Sequence, residues 1–515
     1  MRLFLAALLL LAAPALAQPT APAPLNPVLP GDFPDPSVVK IGDTYWASAT
    51  SSDWGPIFPL LKSKNLQDWT LTGYVFPEQR PAWADHYFWA PEVSRDGQRV
   101  YVYYAAHQRN GNLAVGVASA DRPEGPYTDH GPLVGQPDGS IDAFPVRDEQ
   151  NRPYLVWKED GNSIGQPTPI WAQPLSADHT QLVGQKQELF RNEPGSWEGN
   201  LVEGVSLVRH GGYFYAFYAA NGCCGGGCTY ATGVARARNL LGPWEKDPHN
   251  PVLTNTADWR CPGHGTAVEY AGRWYMLHHA YAAQGFQNIG REGVLSEFTW
   301  SAQGWPEFVG HGVPGALPTA RVLDKADVAD SFGGSALALG WQWPVQARPT
   351  YAVQGGTLQL TAQAAGNGAV LARSVAAPAY AATVVLPAPA ALPAGTRAGL
   401  AAVGSPDNSL ALTAGDHRLQ LWQRQKGQMQ VLAEAPLPVG AGPVQLRVRV
   451  RQATQYQFDY SLDRGRTWLA LPGAGASALD GAFLPPWDLG VRVGVLAQGP
   501  PAAPVAFDDF SLRHE

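Results

Sequence analysis

Residues 35–39 (DPSVV), followed by an aromatic pair at 45–46 (YW), are the first copy of a unit that recurs along the first 310 residues. Each copy has a polar or acidic residue, a short apolar run, a turn and an aromatic-rich strand. The later copies are WAPEV at 89–93 with YVYY at 101–104, IDAF at 141–144 with YLVW at 154–157, VEGVSL at 202–207 with YFY at 213–215, and GHGTAV at 263–268 with WY at 274–275. The anchor residues of the five copies are Asp35, Glu92, Asp142, Glu203 and His264.

The spacing of these anchors predicts a β-propeller. They are 57, 50, 61 and 61 residues apart, and helical periodicity is weak. A period of about 50–60 residues built from short strands is typical of one four-stranded blade. The innermost strand of each blade lines the central channel, so the anchors are expected to converge there. Buried carboxylates cost free energy unless they are hydrogen-bonded, bind a cation or do chemistry. The pattern therefore predicts an active site in the channel.

Composition narrows the function classes. The 515 residues are 45% hydrophobic and 15% charged, which indicates a folded protein of more than one domain. The 56 glycines, 46 prolines and 18 tryptophans favour an all-β fold rich in turns. The net charge is −7 without a basic stripe, which argues against a nucleic-acid partner.

The N-terminus predicts export. Arg2 precedes an apolar run at 3–11, and the small residues at 15–17 provide a cleavage site. We expect residues 1–17 to be a signal peptide, with a secreted or periplasmic mature protein that has no membrane segment. An uncleaved anchor is the alternative. The four cysteines, Cys223, Cys224, Cys228 and Cys261, predict up to two disulfides in any of three connectivities. Their spacing is unlike that of a zinc site.

Glycosidic bond cleavage is a chemistry that uses converging carboxylates. One carboxylic acid protonates the leaving oxygen, and a second carboxylate activates water or attacks the anomeric carbon. Spacing alone does not assign these roles to Asp35, Asp142 and Glu203. The nearest other acids, Asp32 and Glu198, fall outside the repeat register and are interpreted as loop residues.

Five motifs in order, one per blade, resemble glycoside hydrolase family 43, whose fold is a five-bladed β-propeller. They are NPVLPGDFPDPSV at 26–38, WAPEV at 89–93, SIDAF at 140–144, EGVSLVRHGGYFY at 203–215 and CPGHGT at 261–266, with WSAQGWP at 300–306 closing the domain. The resemblance assigns residues 18–313 to the catalytic propeller. Two positions depart from the family pattern, because Val205 and Ala143 stand where it has proline.

The resemblance implies the site roles. Asp35 matches the general base, Glu203 the general acid, and Asp142 the residue that tunes the pKa of the acid and orients substrate. The family inverts anomeric configuration, which implies carboxyl groups about 6.5–9.5 Å apart. His264 matches a channel histidine that is often close to a bound cation or to water.

Five further residues are candidate substrate contacts. Trp54, Phe88 and Trp89 are predicted to stack on sugar faces, and core packing is the alternative for Trp89. Glu92 either contacts substrate or makes a structural hydrogen bond. Arg291 either donates to sugar hydroxyls or forms a surface salt bridge.

The chain beyond a linker at 314–327 predicts a β-sandwich over 328–515. Segments such as 445–451 (QLRVRVR) and 491–495 (VRVGV) alternate at period two, as antiparallel strands with one buried face do. The ends, DSF at 330–332 and FDDF at 507–510, resemble the concanavalin-like domain fused to this family. That resemblance implies adjacent terminal strands, with calcium near Asp330 or Asp508, and ordinary strand-end acids are the alternative for these two residues.

These expectations combine into a hypothesis of function. The resemblance implies an inverting, exo-acting hydrolase of plant cell-wall pentosans, a β-xylosidase or an α-L-arabinofuranosidase, without an organic cofactor. Its partner would be an oligosaccharide or polysaccharide substrate. A non-catalytic carbohydrate-binding propeller and an endo-acting arabinanase are the alternatives. The sequence leaves the choice of sugar and the oligomeric state open.

Overall fold

The structure is a computed structural model that describes residues 26–284, 286–310, 326–472, 478–501 and 504–515. The predicted signal peptide at 1–17 lies outside these ranges, as does all of the predicted linker except 326–327, so both stay predictions. None of the helices among the described residues has the length and hydrophobicity needed to cross a membrane.

Five four-stranded antiparallel sheets, each in chain order, follow one another from residue 37 to residue 308. Blade 1 contains β1 (Ser37–Ile41), β2 (Thr44–Ser48), β4 (Ile57–Ser63) and β5 (Thr70–Phe76), with β3 (Trp54–Gly55) outside the sheet. Blade 2 contains β6 (Ala84–Asp96), β7 (Arg99–Gln108), β8 (Leu113–Ala120) and β9 (Thr128–Val134). Blade 3 contains β10 (Ser140–Arg147), β11 (Pro153–Glu159), β12 (Ile170–Pro174) and β13 (Gln187–Phe190). Blade 4 contains β14 (Val202–His210), β15 (Tyr213–Ala220), β16 (Ala231–Ala237) and β17 (Glu245–Lys246). Blade 5 contains β18 (Trp259–Tyr270), β19 (Arg273–Ala282), β20 (Glu292–Trp300) and β21 (Pro306–Phe308). In the part of the chain that the structure describes, the helical segments are α1 (Phe286–Ile289) and two 3-10 turns (Gly161–Ile164 and Pro389–Ala391).

The first strands of the blades form the ring around the channel. Each of β1, β6, β10, β14 and β18 contacts the next, and β18 contacts β1. Leu29 pairs with Gly293 of β20, which fastens the start of the domain to its last blade. Middle strands such as β8 are buried along their whole length, because neighbouring blades cover both faces. The predicted five-bladed propeller is confirmed.

The C-terminal domain is a sandwich of two antiparallel sheets. One sheet contains β22 (Val328–Asp330), β24 (Tyr351–Gln354), β25 (Thr357–Leu360), β27 (Tyr380–Leu386), β32 (Val444–Arg451), β33 (Gln455–Ser461), β34 (Leu479–Asp480) and β36 (Val505–His514). The other contains β26 (Ala369–Ser374), β28 (Arg397–Ser405), β29 (Asn408–Gly415), β30 (Arg418–Gln425), β31 (Gln428–Pro436) and β35 (Arg492–Gln498). Alternate residues of β27 are fully buried between the sheets. The prediction of adjacent terminal strands is confirmed, because β22 pairs with β36.

Two of the predicted sugar contacts are buried in cores. Trp54 pairs with β23 (Trp343–Pro344) of the sandwich domain and is 3% exposed at the domain interface. Phe88 is 0% exposed and packs edge-on against Phe58, 6.1 Å away, in the core between blades 1 and 2. Neither ring has a face free for a sugar, so both predictions are wrong.

Asp32 holds the two domains together through a buried ion pair. Its Oδ2 lies 2.5 Å from Nη1 of Arg492, and the two side chains are 0% and 2% exposed. The same carboxylate accepts hydrogen bonds from the backbone N–H groups of Arg291 (3.2 Å) and Gly490 (3.0 Å). The sequence interpretation of Asp32 as a plain loop residue missed this role. Glu198 supports blade 4 instead, where it accepts from Tyr218 and Lys246.

Removing one partner of this pair should destabilise the protein strongly. We expect Arg492→Met to lower the free energy of unfolding by about 3–5 kcal/mol, because the Asp32 carboxylate stays buried without its cation. Urea titration followed by tryptophan fluorescence measures this change. Lys64→Met is the control, since Lys64 pairs with Asp43 at 64% and 88% exposure and its removal should leave the free energy of unfolding nearly unchanged. Equal losses in the two variants would contradict the interpretation.

Candidate active site

A pocket of about 370 Å³ opens at one end of the propeller channel. Three predicted acids from three blades, Asp35, Asp142 and Glu203, line it together. The sandwich domain contributes Trp487 and Asp488 to the same wall. The pocket is therefore a joint product of both domains.

Irregularities in the inner strands aim the acids into this pocket. Asp35 and Asp142 have φ of 50° and 58°, in the left-handed region that non-glycine residues rarely adopt. The ladder register shifts beside Asp142 and again between Glu203 and Ser206, as at a β-bulge. Gly204 (φ 60°) is required here, because a Cβ would lie 2.7 Å from the ring of His264. The repeat thus places an irregularity beside each carboxylate, which is a left-handed backbone at Asp35 and a register shift at Asp142 and Glu203.

Asp35 is surrounded by cationic and hydroxyl donors. Nη1 of Arg291 donates to its Oδ1 at 2.8 Å, and the Thr50 hydroxyl donates to its Oδ2 at 2.6 Å. Nδ1 of His279 lies 3.1 Å from Oδ1, and Nδ1 of His264 lies 3.5 Å away. Burial raises the pKa of Asp35, but Arg291, His264 and His279 outweigh it and hold the pKa well below its ordinary value. Asp35 is therefore ionised in the free site.

Glu203 forms a buried ion pair. Nζ of Lys158 lies 2.6 Å from its Oε2, and the Tyr230 hydroxyl donates to its Oε1 at 2.8 Å. Lys158 has a second carboxylate partner, Asp160, at 2.7 Å. Burial raises the pKa of Glu203, but Lys158 and Tyr230 outweigh it and keep the pKa below its ordinary value.

Of the three candidate catalytic acids, Asp142 is the one whose pKa is raised. Its Oδ2 accepts from the backbone N–H of Gly204 at 2.8 Å. Burial, opposed by His264 and reinforced by the negative charge of Glu203, raises its pKa to about 6. Of the two neighbouring acids Asp142 and Glu203, Asp142 is therefore the one that retains a proton in the free site. The sequence predicts instead that Asp142 keeps Glu203 protonated. The difference arises because Lys158, which was not among the predicted site residues, pairs with Glu203.

Of the other predicted substrate contacts, Trp89 and Arg291 line the pocket, whereas Glu92 lies deeper in the propeller. Trp89 lines the pocket, stacked on Tyr87 at 4.5 Å, with its Nε1 donating to Ser52. Arg291 also lines it and is 4% exposed, so it contacts Asp35 instead of forming a surface salt bridge. Glu92 faces a smaller cavity of about 10 Å³ that Asp35, Asp142 and His264 also line, and there it accepts from Thr266 at 3.3 Å. Burial raises the pKa of Glu92 well above its ordinary value, which favours the protonated form of this carboxyl.

Several residues of the site were not predicted from the sequence. Lys158 carries a signal, because it is a lone cation directly after the apolar run YLVW in β11. Tyr230 and His279 carry none beyond their position near blade motifs. Asp488, which accepts from Ser52 at 2.9 Å, and Trp487 come from the other domain and had no signal in the propeller repeat.

The predicted cation sites are not clusters of ligands. Among the described residues, one group of three side chains brings metal-ligand atoms within 4.8 Å of one another: Asp85, His86 and His107. The oxygens of Asp330 accept from the backbone N–H of Phe332 (2.9 Å) and from Nε1 of Trp341 (2.8 Å), which fits a structural role better than calcium binding. A cation at His264 and calcium at Asp330 or Asp508 stay predictions.

The four cysteines form two disulfides, as predicted. Cys223 pairs with its neighbour Cys224, and Cys228 pairs with Cys261. The second bridge fastens the loop after β15 to β18. Cys223 and Cys224 line the pocket.

This arrangement suits acid–base chemistry on a bound sugar. The Asp35 carboxylate is held ionised, the Glu203 carboxylate is bonded to Lys158 and Tyr230, and the pKa of Asp142 is raised. A propeller with such a site defines a glycoside hydrolase. The chain belongs to glycosyl hydrolases family 43, whose model matches residues 24–306. Residues 329–513 match the beta xylosidase C-terminal concanavalin A-like domain.

Two relatives and one solved structure illustrate what this chain is similar to. A xylan 1,3-beta-xylosidase of Vibrio sp. is 29% identical over 315 residues, covering 55% of this chain and 56% of the relative. A xylosidase/arabinosidase 43B of Humicola insolens is 29% identical over 322 residues, covering 58% and 57%. These matches thus span a little over half the length of the curated relatives. The crystal structure of xylan beta-1,4-xylosidase from Bacillus halodurans C-125 superposes with a TM-score of 0.79 at 21% identity over 95% of this chain and 100% of that chain, which shows a common fold.

Proposed function

We propose that the protein is an inverting, exo-acting hydrolase that removes terminal β-D-xylosyl or α-L-arabinofuranosyl residues from plant cell-wall saccharides. The observation that carries the proposal is that two carboxylates of one pocket are each paired with a cation. Asp35 pairs with Arg291, and Glu203 pairs with Lys158. A volume of about 370 Å³ suits a small saccharide held at its end. The names of the two curated relatives support pentose as the sugar.

Asp35 acts as the general base in this mechanism. It takes a proton from a water molecule as that water attacks the anomeric carbon on the face opposite the leaving group. A carboxylate with a depressed pKa is a weak base, but the sugar carries positive charge in the transition state and acidifies the attacking water. Arg291 therefore keeps Asp35 ionised over a wide pH range without preventing proton transfer.

Glu203 acts as the general acid once substrate is bound. It gives its proton to the glycosidic oxygen as the bond from that oxygen to the anomeric carbon breaks. The bound sugar excludes water from Glu203 and raises its pKa, while Lys158 keeps Asp160 as its second partner. The neighbouring carboxyl of Asp142 favours the protonated form of Glu203 when Asp142 is itself ionised.

Removing the Lys158 cation should shift the pH profile. Asp142 and Glu203 titrate as a pair, and the pKa of Asp142 is raised to about 6. The kcat/KM of the wild type should therefore fall above about pH 6. In Lys158→Met the protonated form persists to higher pH, because the cation that favours ionised Glu203 is gone. We expect the alkaline limb to move up by about one pH unit or more. Initial rates from pH 4 to 9 measure it.

The matched control is Lys186→Met. Lys186 belongs to the same blade and lies over the Trp171 ring at 3.9 Å, outside the pocket. Its substitution should leave both limbs unchanged. An alkaline limb that stays in place or moves to lower pH in Lys158→Met would contradict the role given to Lys158.

Product analysis tests the proposed activity. The protein should release nitrophenol from aryl β-D-xylopyranoside or aryl α-L-arabinofuranoside, and it should release only monosaccharide from linear pentose oligosaccharides at early times. Early oligosaccharide products would indicate endo action. Saccharide binding without turnover would indicate the non-catalytic propeller.

We further propose that the mature protein acts outside the cytoplasm. Two disulfides among the described residues support an oxidising compartment, in agreement with the predicted signal peptide. N-terminal sequencing of the exported protein should begin at Gln18.

A further inference from the structure

The loop of blade 4 that carries the neighbouring cysteines forms part of the pocket wall. Cys223 and Cys224 are bonded to each other and line the same pocket as Glu203. Both side chains are half-buried, so they reach the pocket while remaining open to it. The mechanism above gives this disulfide no role.

The loop is held in place without the help of the Cys223–Cys224 bond. The Cys228–Cys261 bridge is buried, with the two residues 4% and 0% exposed. The Thr229 hydroxyl donates to Oδ1 of Asn221 at 2.8 Å and closes the base of the loop. The bond between the two neighbours therefore adds little to the anchoring of the loop, and its position in the pocket calls for another explanation.

The chemistry of the pocket wall supplies that explanation. The pocket wall combines charged side chains, among them Lys158 and Arg291, with apolar ones such as Leu201 and Trp487. A disulfide in that wall is a compact, polarisable and apolar surface that makes only weak hydrogen bonds. A pentose ring presents C–H groups on one face and hydroxyls at its edge, so it needs an apolar surface as well as polar donors.

We propose that the Cys223–Cys224 disulfide is a substrate-contacting element whose sulfur atoms pack against the C–H face of the pentose bound beside Glu203. This inference rests on the proposed function and deepens it. Reduction by a dithiol converts the disulfide into two thiols and the dithiol into its own disulfide. The two sulfur atoms then separate and the continuous apolar surface is lost.

A second route from this loop to activity has to be distinguished. Tyr230 packs with Cys223 and Cys228 in one buried cluster and donates to Glu203 at 2.8 Å. If the disulfide acted only by holding Tyr230, breaking it would change the pKa of Glu203 and hence the pH profile. A sugar contact instead affects KM and leaves the pH profile in place.

The test compares three samples on the aryl glycoside that the wild type hydrolyses: untreated wild type, wild type treated with dithiothreitol, and Cys223→Ser/Cys224→Ser. The half-buried pair should be reduced before the buried Cys228–Cys261 bridge, and alkylation with mass spectrometry counts the freed thiols. We expect two thiols and a KM about tenfold higher in the treated wild type, the scale of one lost apolar contact. The double variant should match it and should not respond to dithiothreitol. Reoxidation of the treated wild type should restore KM, which separates the effect from unfolding.

The outcomes decide the inference. An unchanged KM in a sample with two freed thiols would overturn it, and so would a shift of the pH profile at constant KM. If the double variant fails to fold, reversible reduction of the wild type still gives the answer. An untreated wild type without activity on either glycoside would count against the proposed function instead.

Discussion

Glu203→Gln should lower kcat about 10²- to 10⁴-fold on a pentose disaccharide, and far less on a dinitrophenyl glycoside. The sugar leaving group departs as a strongly basic alkoxide unless it is protonated, whereas dinitrophenolate leaves without a proton. The loss should therefore grow with the pKa of the leaving group. Initial rates across a series of aryl glycosides and the disaccharide measure this dependence.

Glu92→Gln is the matched control for this variant. It makes the same substitution on another anchor residue, whose carboxyl is buried, favours its protonated form and faces the smaller cavity. Its activity should stay within about twofold of wild type, since an amide replaces a neutral acid of the same shape. Equal losses on good and poor leaving groups in Glu203→Gln would remove Glu203 from the role of general acid.

Asp35→Asn should abolish turnover regardless of the leaving group. Its amide cannot take a proton from water, so kcat should fall about 10³-fold or more on the dinitrophenyl glycoside and on the disaccharide alike. The substitution also leaves Arg291 buried beside a neutral group, which should cost about 3–5 kcal/mol of stability. Rates must therefore be measured at a temperature where circular dichroism shows the variant folded.

The contrast between the two variants separates base from acid. Leaving-group dependence in Asp35→Asn resembling that of Glu203→Gln would mean that the roles are exchanged or shared. Substantial activity in a folded Asp35→Asn would exclude Asp35 as the base.

The sequence predicted the features that the repeat encodes. Asp35, Asp142 and Glu203 hold equivalent positions in their blades, so any arrangement that closes the ring brings them to one channel. The aromatic strands after each anchor gave the number of blades for the same reason. The period-two pattern of β32 predicted the sandwich, because alternation depends only on which face is buried. β35 alternates in sequence but is buried along its whole length, and its Arg492 pairs with Asp32 of the propeller.

The missed features depend on contacts between distant segments. The ladder register of β6 shifts between His86 and Trp89 and again between Trp89 and Glu92, so simple alternation does not tell which aromatic faces the pocket. Trp54 is buried by a domain that begins more than two hundred residues later. The pairing of Lys158 with Glu203 reverses the expected protonation of two acids, and no local pattern encodes it.

The anomeric configuration of the first product tests whether Asp35 activates water for direct attack on the sugar. Proton NMR of the glycoside that the enzyme hydrolyses, recorded before mutarotation equilibrates the sugar, identifies the anomer released. We expect inversion, so a β-D-xyloside should first give α-xylose and an α-L-arabinofuranoside should first give the β anomer. Release of the retained anomer would mean that a carboxylate attacks the sugar, and it would contradict the assignment of Asp35 as a base that activates water.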